Sequence, residues 1–234
     1  MNNDEVNLTN DAYSLHRILK TDIKKDPNLE EDEIIFGCGC FWGAEKCFWK
    51  LPGVLTTSVG YAGGEKNNPT YYEVCSGLTG HSEVVRVIWD KREIDVSDLL
   101  KMFWECHDPT QKNRQGNDMG TQYRSAIYYK NENNIKTILS SKEQYQAELS
   151  KKNLGLIETE IKMIDSYFYA EQYHQQYLAS AGSRQYCSAS PTKVKLGVFT
   201  GSNYKLEDHI WENFNWEVDK CVLRSDNNPI KNNI

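Results

Sequence analysis

The chemistry most legible in this chain lies in Gly37-Cys38-Gly39-Cys40-Phe41-Trp42-Gly43. A short strand signal, Glu33-Ile34-Ile35-Phe36, runs into it. A helical spacing leaves it, with Phe41, Ala44, Phe48 and Leu51 on one face and Pro52-Gly53 as the stop. Cys40 therefore falls where a strand turns into a helix. A thiol at a helix N-terminus meets unpaired backbone N–H groups and the positive end of the macrodipole. Both favour thiolate, the nucleophilic form. Gly39 and Gly43 permit a sharp turn and close approach of a substrate, and Phe41 and Trp42 could wall a small apolar pocket. The same pattern also suits a small buried core cysteine with two packing aromatics.

The elements that must position this sulfur follow in order. Val54–Tyr61 reads as a strand closed by Gly63-Gly64. From Glu83 to Trp89 the residues alternate, with Val85, Val87 and Trp89 on one side. Ser97 is a suitable N-cap for a helix through Cys106. A polar loop spans His107–Gln122, then a strand Ser125–Tyr129, a polar helix Asn131–Lys152, a strand Thr159–Met163 and a short helix Ala170–Leu178. Strands alternate unevenly with helices, which predicts an α+β two-layer domain over residues 31–200. Residues 1–30 are polar and acidic and read as a flexible arm. Residues 201–234 read as a C-terminal extension, aromatic through Trp211, Phe214 and Trp216, that packs on the domain and then frays.

Composition narrows the classes. Hydrophobic residues make up 39% and charged residues 26%, which suits a soluble globule. A formal charge of −6 and the lack of a Lys/Arg cluster argue against nucleic acid as a partner. No apolar run is long enough for a bilayer span, and no G-x-G-x-x-G opens a helix after a strand. The first residues lack a basic, apolar leader pattern, so the expected location is cytoplasmic. Seven cysteines, an odd number, then read as mostly free thiols in a reducing compartment.

The cysteine motif resembles that of the A-type peptide-methionine (S)-S-oxide reductases, and the likeness extends over roughly residues 33–190. After Gly-Cys-Phe-Trp-Gly come Gly60-Tyr61-Ala62-Gly63-Gly64, Asn68-Pro69-Thr70-Tyr71 and Glu73-Val74-Cys75-Ser76-Gly77. Thr79-Gly80-His81-Ser82-Glu83, His107-Asp108-Pro109-Thr110 and Gln115-Gly116-Asn117-Asp118 follow in the same order. Gly120-Thr121-Gln122-Tyr123-Arg124-Ser125 and Tyr173-His174-Gln175-Gln176-Tyr177-Leu178 complete the series.

The resemblance implies a two-layer α/β sandwich of ferredoxin-like type with a mixed sheet. It also implies reduction of the S epimer of methionine sulfoxide, free or in proteins. Cys40 would attack the sulfoxide sulfur. Glu83 would protonate the oxygen, which requires a desolvated, protonated carboxyl. Tyr71 and Tyr123 would hydrogen-bond that oxygen, Asp118 would support the oxygen site, and Phe41 and Trp42 would hold the substrate methyl. Attack leaves a sulfenic acid, which condenses with a nearby thiol. Cys187 matches the resolving position, and a thioredoxin-like protein would reduce the Cys40–Cys187 disulfide. The run Cys187-Ser188-Ala189-Ser190-Pro191 departs from the family's Gly-rich pattern, and Cys221 lies far down the tail. One resolving step is therefore expected. Cys47 and Cys75 read as structural, as does Cys38, whose Cys-x-Cys spacing would strain a disulfide. No cofactor is implied, and nothing demands more than a monomer.

Three other readings compete. A metal site is weak, because there is no pair of C-x₂-C motifs and no H-x₃-H. A cysteine hydrolase would need imidazole beside the thiol. A sulfoxide-binding module would make the thiol dispensable.

Overall fold

A computed structural model describes residues 14–218 and 220–232. Four central strands pair antiparallel in the order β6 (Ser125–Tyr129), β1 (Glu31–Cys38), β3 (Ser82–Asp90), β2 (Val54–Ala62). Two outer strands, β7 (Glu160–Met163) beside β6 and β8 (Tyr167–Tyr169) beside β2, complete a six-stranded sheet. Only β6 and β7 run parallel, so the sheet is mixed, as expected. That pair needs a crossover, and α4 (Ile135–Lys151) supplies it. A two-stranded ribbon, β4 (Arg114–Gln115) with β5 (Asp118–Met119), folds the loop after α3 (Val96–Cys106).

Alternation along the strands decides what faces the site. Ile34, Phe36 and Cys38 of β1 and Val85, Val87 and Trp89 of β3 enter the main core, beneath α1 (Phe41–Trp49) and α3. Ile35 and Val84 point the other way, into a smaller cluster with Ala126 and Tyr128. Glu83 has the parity of Val85, so its carboxyl faces the helical layer. Phe36 stacks between Phe48 at 4.8 Å and Phe103 at 5.1 Å. It thus ties β1 to both helices, and truncating it to Ala would cost about 3–5 kcal/mol.

Several elements differ from the sequence reading. The cap of α3 is Asp95, which accepts from Ser97 N–H while Asp98 reaches back to the Asp95 N–H. A reciprocal box outcompetes a lone serine two residues on. The 17-residue α4 starts at Ile135, after a 3₁₀ turn at Glu132–Asn134. The expected helix over Ala170–Leu178 is instead two 3₁₀ turns, Gln172–His174 and Tyr177–Ala179, separated by Gln176 in the left-handed region. The side chain of Gln175 explains the break: it bonds the backbone of Val59 and Ala170, competing with a helical ladder. The short helix α2 (Tyr71–Cys75) and β8 carry too few residues for periodicity to show.

The termini are also less free than composition suggests. The expected flexible arm falls partly on residues 1–13, outside the described region. Residues 14–30 pack on the domain: His16 Nε2 meets Thr57 Oγ1 at 2.9 Å, and Arg86 donates to the Lys25 carbonyl. The extension folds back through α5 (Asp208–Trp211) and α6 (Cys221–Arg224) to the far end of α1. There Lys46 Nζ, Trp49 Nε1 and Lys50 Nζ donate to the carbonyls of Ser225, Asn227 and Asp226. The Ile230 N–H donates to the Lys50 carbonyl at the C-cap of α1. Among the described residues no helix is long and apolar enough to cross a membrane.

Candidate active site

Cys40 is the N-cap residue of α1, reached through Gly39 at φ +85°. A side chain on Gly39 would also collide with Gln115, its Cβ lying 2.5 Å from the Gln115 Cβ. The turn therefore needs glycine for both conformation and space. The first free amide of the helix, Phe41 N–H, donates to Glu83 Oε2 at 3.1 Å. This bond joins the end of β3 to the start of α1 and sets the carboxyl beside the thiol.

A cavity of about 480 Å³ opens over this pair, lined by Cys40, Phe41, Trp42, Tyr71, Glu83, Asp118, Tyr123, Tyr177, Arg184 and Tyr186. Seven of the eight residues singled out from the sequence meet there; the eighth, Cys187, lies behind it. Phe41 is fully buried against Tyr61 and His174, while Trp42 is half-exposed. Trp42 stacks on Tyr177 at 3.8 Å, and its Nε1–H donates to His174 Nδ1 at 3.0 Å. Its rotamer is thus locked from two sides.

Electrostatics sort the acid from the nucleophile. Glu83 is 1% exposed. Burial pushes its carboxyl up to about 8, against the Phe41 N–H, with Asp118 adding repulsion. It is protonated at neutral pH and can act as a proton donor in the cavity. Burial also raises Tyr71 and Tyr123, with Glu83 repelling both phenolates, so both stay hydroxyl donors. The thiol departs from the sequence expectation. Cys40, 8% exposed, is raised well above the ordinary thiol range by burial and then by Glu83, although the Trp42 N–H favours its thiolate. Desolvation outweighs the helix terminus. The repulsion from Glu83 vanishes when that carboxyl is protonated, so a proton on Glu83 eases ionisation of the Cys40 thiol.

Asp118 reaches the cavity from β5, where Oδ1 accepts from the Tyr186 hydroxyl at 2.5 Å and Oδ2 is buried without a partner among the described residues. Tyr186 also meets Trp42 edge-on at 6.5 Å. Its neighbour Cys187 is 2% exposed and sits against α1. A Cβ on Gly43 would lie 2.4 Å from Cys187 Sγ. Gly43 is thus the gap through which the C-terminal sulfur reaches the first turn of the helix that Cys40 caps. All seven cysteines are thiols.

The sequence reading did not single out Tyr177, Arg184 and Tyr186 as site residues, nor His174 and Glu171 behind them. Glu171 accepts from the Tyr71 N–H and the Tyr61 hydroxyl, seating α2 over the cavity. The available signals were adjacency of Tyr186 to Cys187 and membership of His174 and Tyr177 in the Tyr-His-Gln-Gln block. The cluster Cys38, Cys106 and His107 brings three ligand-type atoms within 4.8 Å. However, His107 already spends Nδ1 on the Phe103 carbonyl at 2.7 Å and Nε2 on Ser125 Oγ at 2.8 Å. Burial lowers it to about 4, so it stays a neutral core imidazole.

The profile of the family described as peptide methionine sulfoxide reductase matches residues 32–204, well over half of the chain. The chain belongs to that family. Its relatives include peptide methionine sulfoxide reductase MsrA of Vibrio vulnificus, 53% identical over 180 residues, 77% of this chain and 86% of that one. The MsrA of Azotobacter vinelandii is 57% identical over 164 residues, 70% and 76% of the two chains. Among solved structures, methionine sulfoxide reductase A of Corynebacterium diphtheriae superposes with a TM-score of 0.67 at 42% identity, over 78% of this chain and 88% of that one. Mxr1 of Saccharomyces cerevisiae in reduced form gives 0.64 at 34% identity, over 70% and 92%. In this member of the family a cysteine and a protonated carboxyl thus meet in an aromatic pocket.

Proposed function

We propose that this chain reduces the S epimer of methionine sulfoxide, free or in proteins, to methionine, with Cys40 as nucleophile and Glu83 as acid. The observation that carries the reading is the buried, protonated Glu83 anchored on the amide next to Cys40. Cys40 sulfur attacks the sulfoxide sulfur; the oxygen gains a proton from Glu83 while Tyr71 and Tyr123 donate to it. The oxygen passes to Cys40 as the S–O bond and the transient bond between the two sulfurs break, methionine leaves, the thiol proton of Cys40 restores Glu83, and Cys40 is left as a sulfenic acid. The Cys187 thiol attacks that sulfur, expelling water and forming the Cys40–Cys187 disulfide. A thioredoxin-like dithiol protein then takes the oxidising equivalents, returning two thiols. Asp118 orients the mouth through Tyr186, and Phe41 and Trp42 hold the methyl group.

Supporting detail comes from the fold. The order β1–α1–β2–β3–α3–β6, with strands arranged β6-β1-β3-β2, supports a ferredoxin-like reading of the core. A carboxyl, rather than imidazole, beside the thiol favours sulfoxide reduction over a cysteine hydrolase. The chain is read as a monomer, and its odd count of seven cysteines suits free thiols in a reducing compartment such as the cytoplasm.

The test is reduction of the S and R enantiomers of methyl p-tolyl sulfoxide with dithiothreitol. The wild type should consume the S form, and Cys40→Ser should lose at least a thousandfold. Retention of a tenth of the rate would remove Cys40 from the mechanism.

A further inference from the structure

The substituents of a sulfoxide bound over Cys40 are assigned in turn by the cavity. The oxygen goes to Glu83, Tyr71 and Tyr123, and the methyl to Phe41 and Trp42. The remaining arm leads to the amino-acid backbone, and the lining residues left for it are Asp118, Tyr177, Arg184 and Tyr186. Arg184 is the one cation among the described residues that line the cavity. Its guanidinium lies over the Tyr186 ring at 5.3 Å. Among the described residues that guanidinium has no carboxylate partner and no hydrogen bond; only the Arg184 backbone N–H is engaged, with the Tyr177 hydroxyl. Asp118, on the other side of the Tyr186 hydroxyl, is bonded to that phenol and forms no ion pair with Arg184. A planar guanidinium without an acceptor, set on an aromatic ring at a pocket mouth, matches a carboxylate. In methionine sulfoxide four bonds separate the reacting sulfur from the α-carboxyl carbon, a reach of roughly 5 Å, so the carboxylate is carried away from the reacting sulfur toward the rest of the cavity lining.

We propose that Arg184 is a specificity-determining residue that recognises a carboxylate beside the sulfoxide. The carboxylate is either the α-carboxylate of free or chain-terminal methionine sulfoxide or the side chain of an adjacent Asp or Glu. The inference rests on the reductase reading and names the substrate class that the site prefers. It gives the resolving segment a second duty, since Arg184 and Cys187 travel together: the arm that supplies the sulfur also reads the substrate.

The experiment compares kcat/KM with dithiothreitol for the S epimers of N-acetylmethionine sulfoxide and its primary amide, which differ only in the carboxylate. Two capped peptides, with Asp or Lys after the methionine sulfoxide, form the second arm. The wild type should prefer the carboxylate by roughly fivefold, the scale of a solvent-exposed charge pair, mostly through KM, with the preference shrinking in high salt. Arg184→Gln should bring the ratio close to one and Arg184→Glu should invert it. A preference confined to the acetyl acid identifies the α-carboxylate as the ligand, and one confined to the Asp peptide identifies a neighbouring side chain; either supports carboxylate recognition. A wild-type ratio of one in both arms overturns the inference, as does a ratio that Arg184→Gln leaves unchanged while both rates fall together. The second result would mean that Arg184 merely shapes the Tyr186 segment. If the wild type reduces none of the four substrates, the reductase reading fails and the inference with it.

Discussion

Replacing Glu83 with glutamine should stabilise the protein, and increasingly so as pH rises. In the folded chain burial raises the carboxyl from 4.5 to about 8. Between those values the unfolded chain has released its proton and the folded chain has not, so the unfolded state binds fewer protons. Stability contributed by the neutral carboxyl is therefore fully present below pH 4.5 and is lost progressively up to pH 8. The gap between 4.5 and about 8 corresponds to roughly 5 kcal/mol. The glutamine amide oxygen can accept the same Phe41 N–H without a charge to desolvate. The assay is urea denaturation of wild type and Glu83→Gln at half-unit steps from about pH 4.5 to about pH 9. The difference in unfolding free energy should grow by about 3–6 kcal/mol toward pH 8 and then level. Glu45, a second buried carboxyl raised to about 7, titrates in both proteins and cancels. A pH-independent difference, or a wild type that gains on the variant as pH rises, would refute the assignment of a buried neutral acid. The same substitution should slow single-turnover sulfoxide reduction by about 10²–10⁴-fold. Stability and activity should therefore move in opposite directions.

Two further outcomes concern the return half of the cycle. Cys187→Ser should reduce about one equivalent of sulfoxide per enzyme and then stall with thioredoxin, read as methionine released per mole of protein. Sustained turnover with thioredoxin would show that another thiol resolves the sulfenic acid. Gly43→Ala places a methyl against Cys187 Sγ, at 2.4 Å before relaxation, and should destabilise the fold by about 1–3 kcal/mol. It should also expose Cys187 to alkylation, measured by peptide mapping; an unchanged alkylation rate would mean that the contact is not what buries the sulfur.

Much of the site was legible because its chemistry demands particular residue types at particular turns. Cys40 could be placed at a strand-to-helix turn between glycines by periodicity, whereas Glu83 was singled out only by the family resemblance, its strand phase with Val85 agreeing. The neutral state of Glu83 was an expectation carried by the family resemblance, with Val84 and Val85 marking a buried strand end beside it. The thiol's ionisation did not follow. A helix N-terminus is visible in sequence, but the opposing desolvation depends on how completely β3, α2 and the Tyr186 segment close over the sulfur. Tyr186, Tyr177 and Arg184 were equally hidden, because they lie in irregular chain brought to the site by long-range contacts rather than by period. The same limit explains the helix expected over Ala170–Leu178: side-chain bonds from Gln175 to a distant strand, invisible to local pattern, replace it.

Lys46 and Lys50, the two ammonium groups on the far turns of α1, are buried beneath the returning tail, 2% and 4% exposed. They are satisfied largely by carbonyls of residues 225–228. The helix that presents Cys40 at one end is thus clamped at the other by the last stretch of chain. Shortening the protein before Ser225 would remove the carbonyls that hold both ammonium groups and uncover this end of α1, a loss of packing on the helix that carries Cys40.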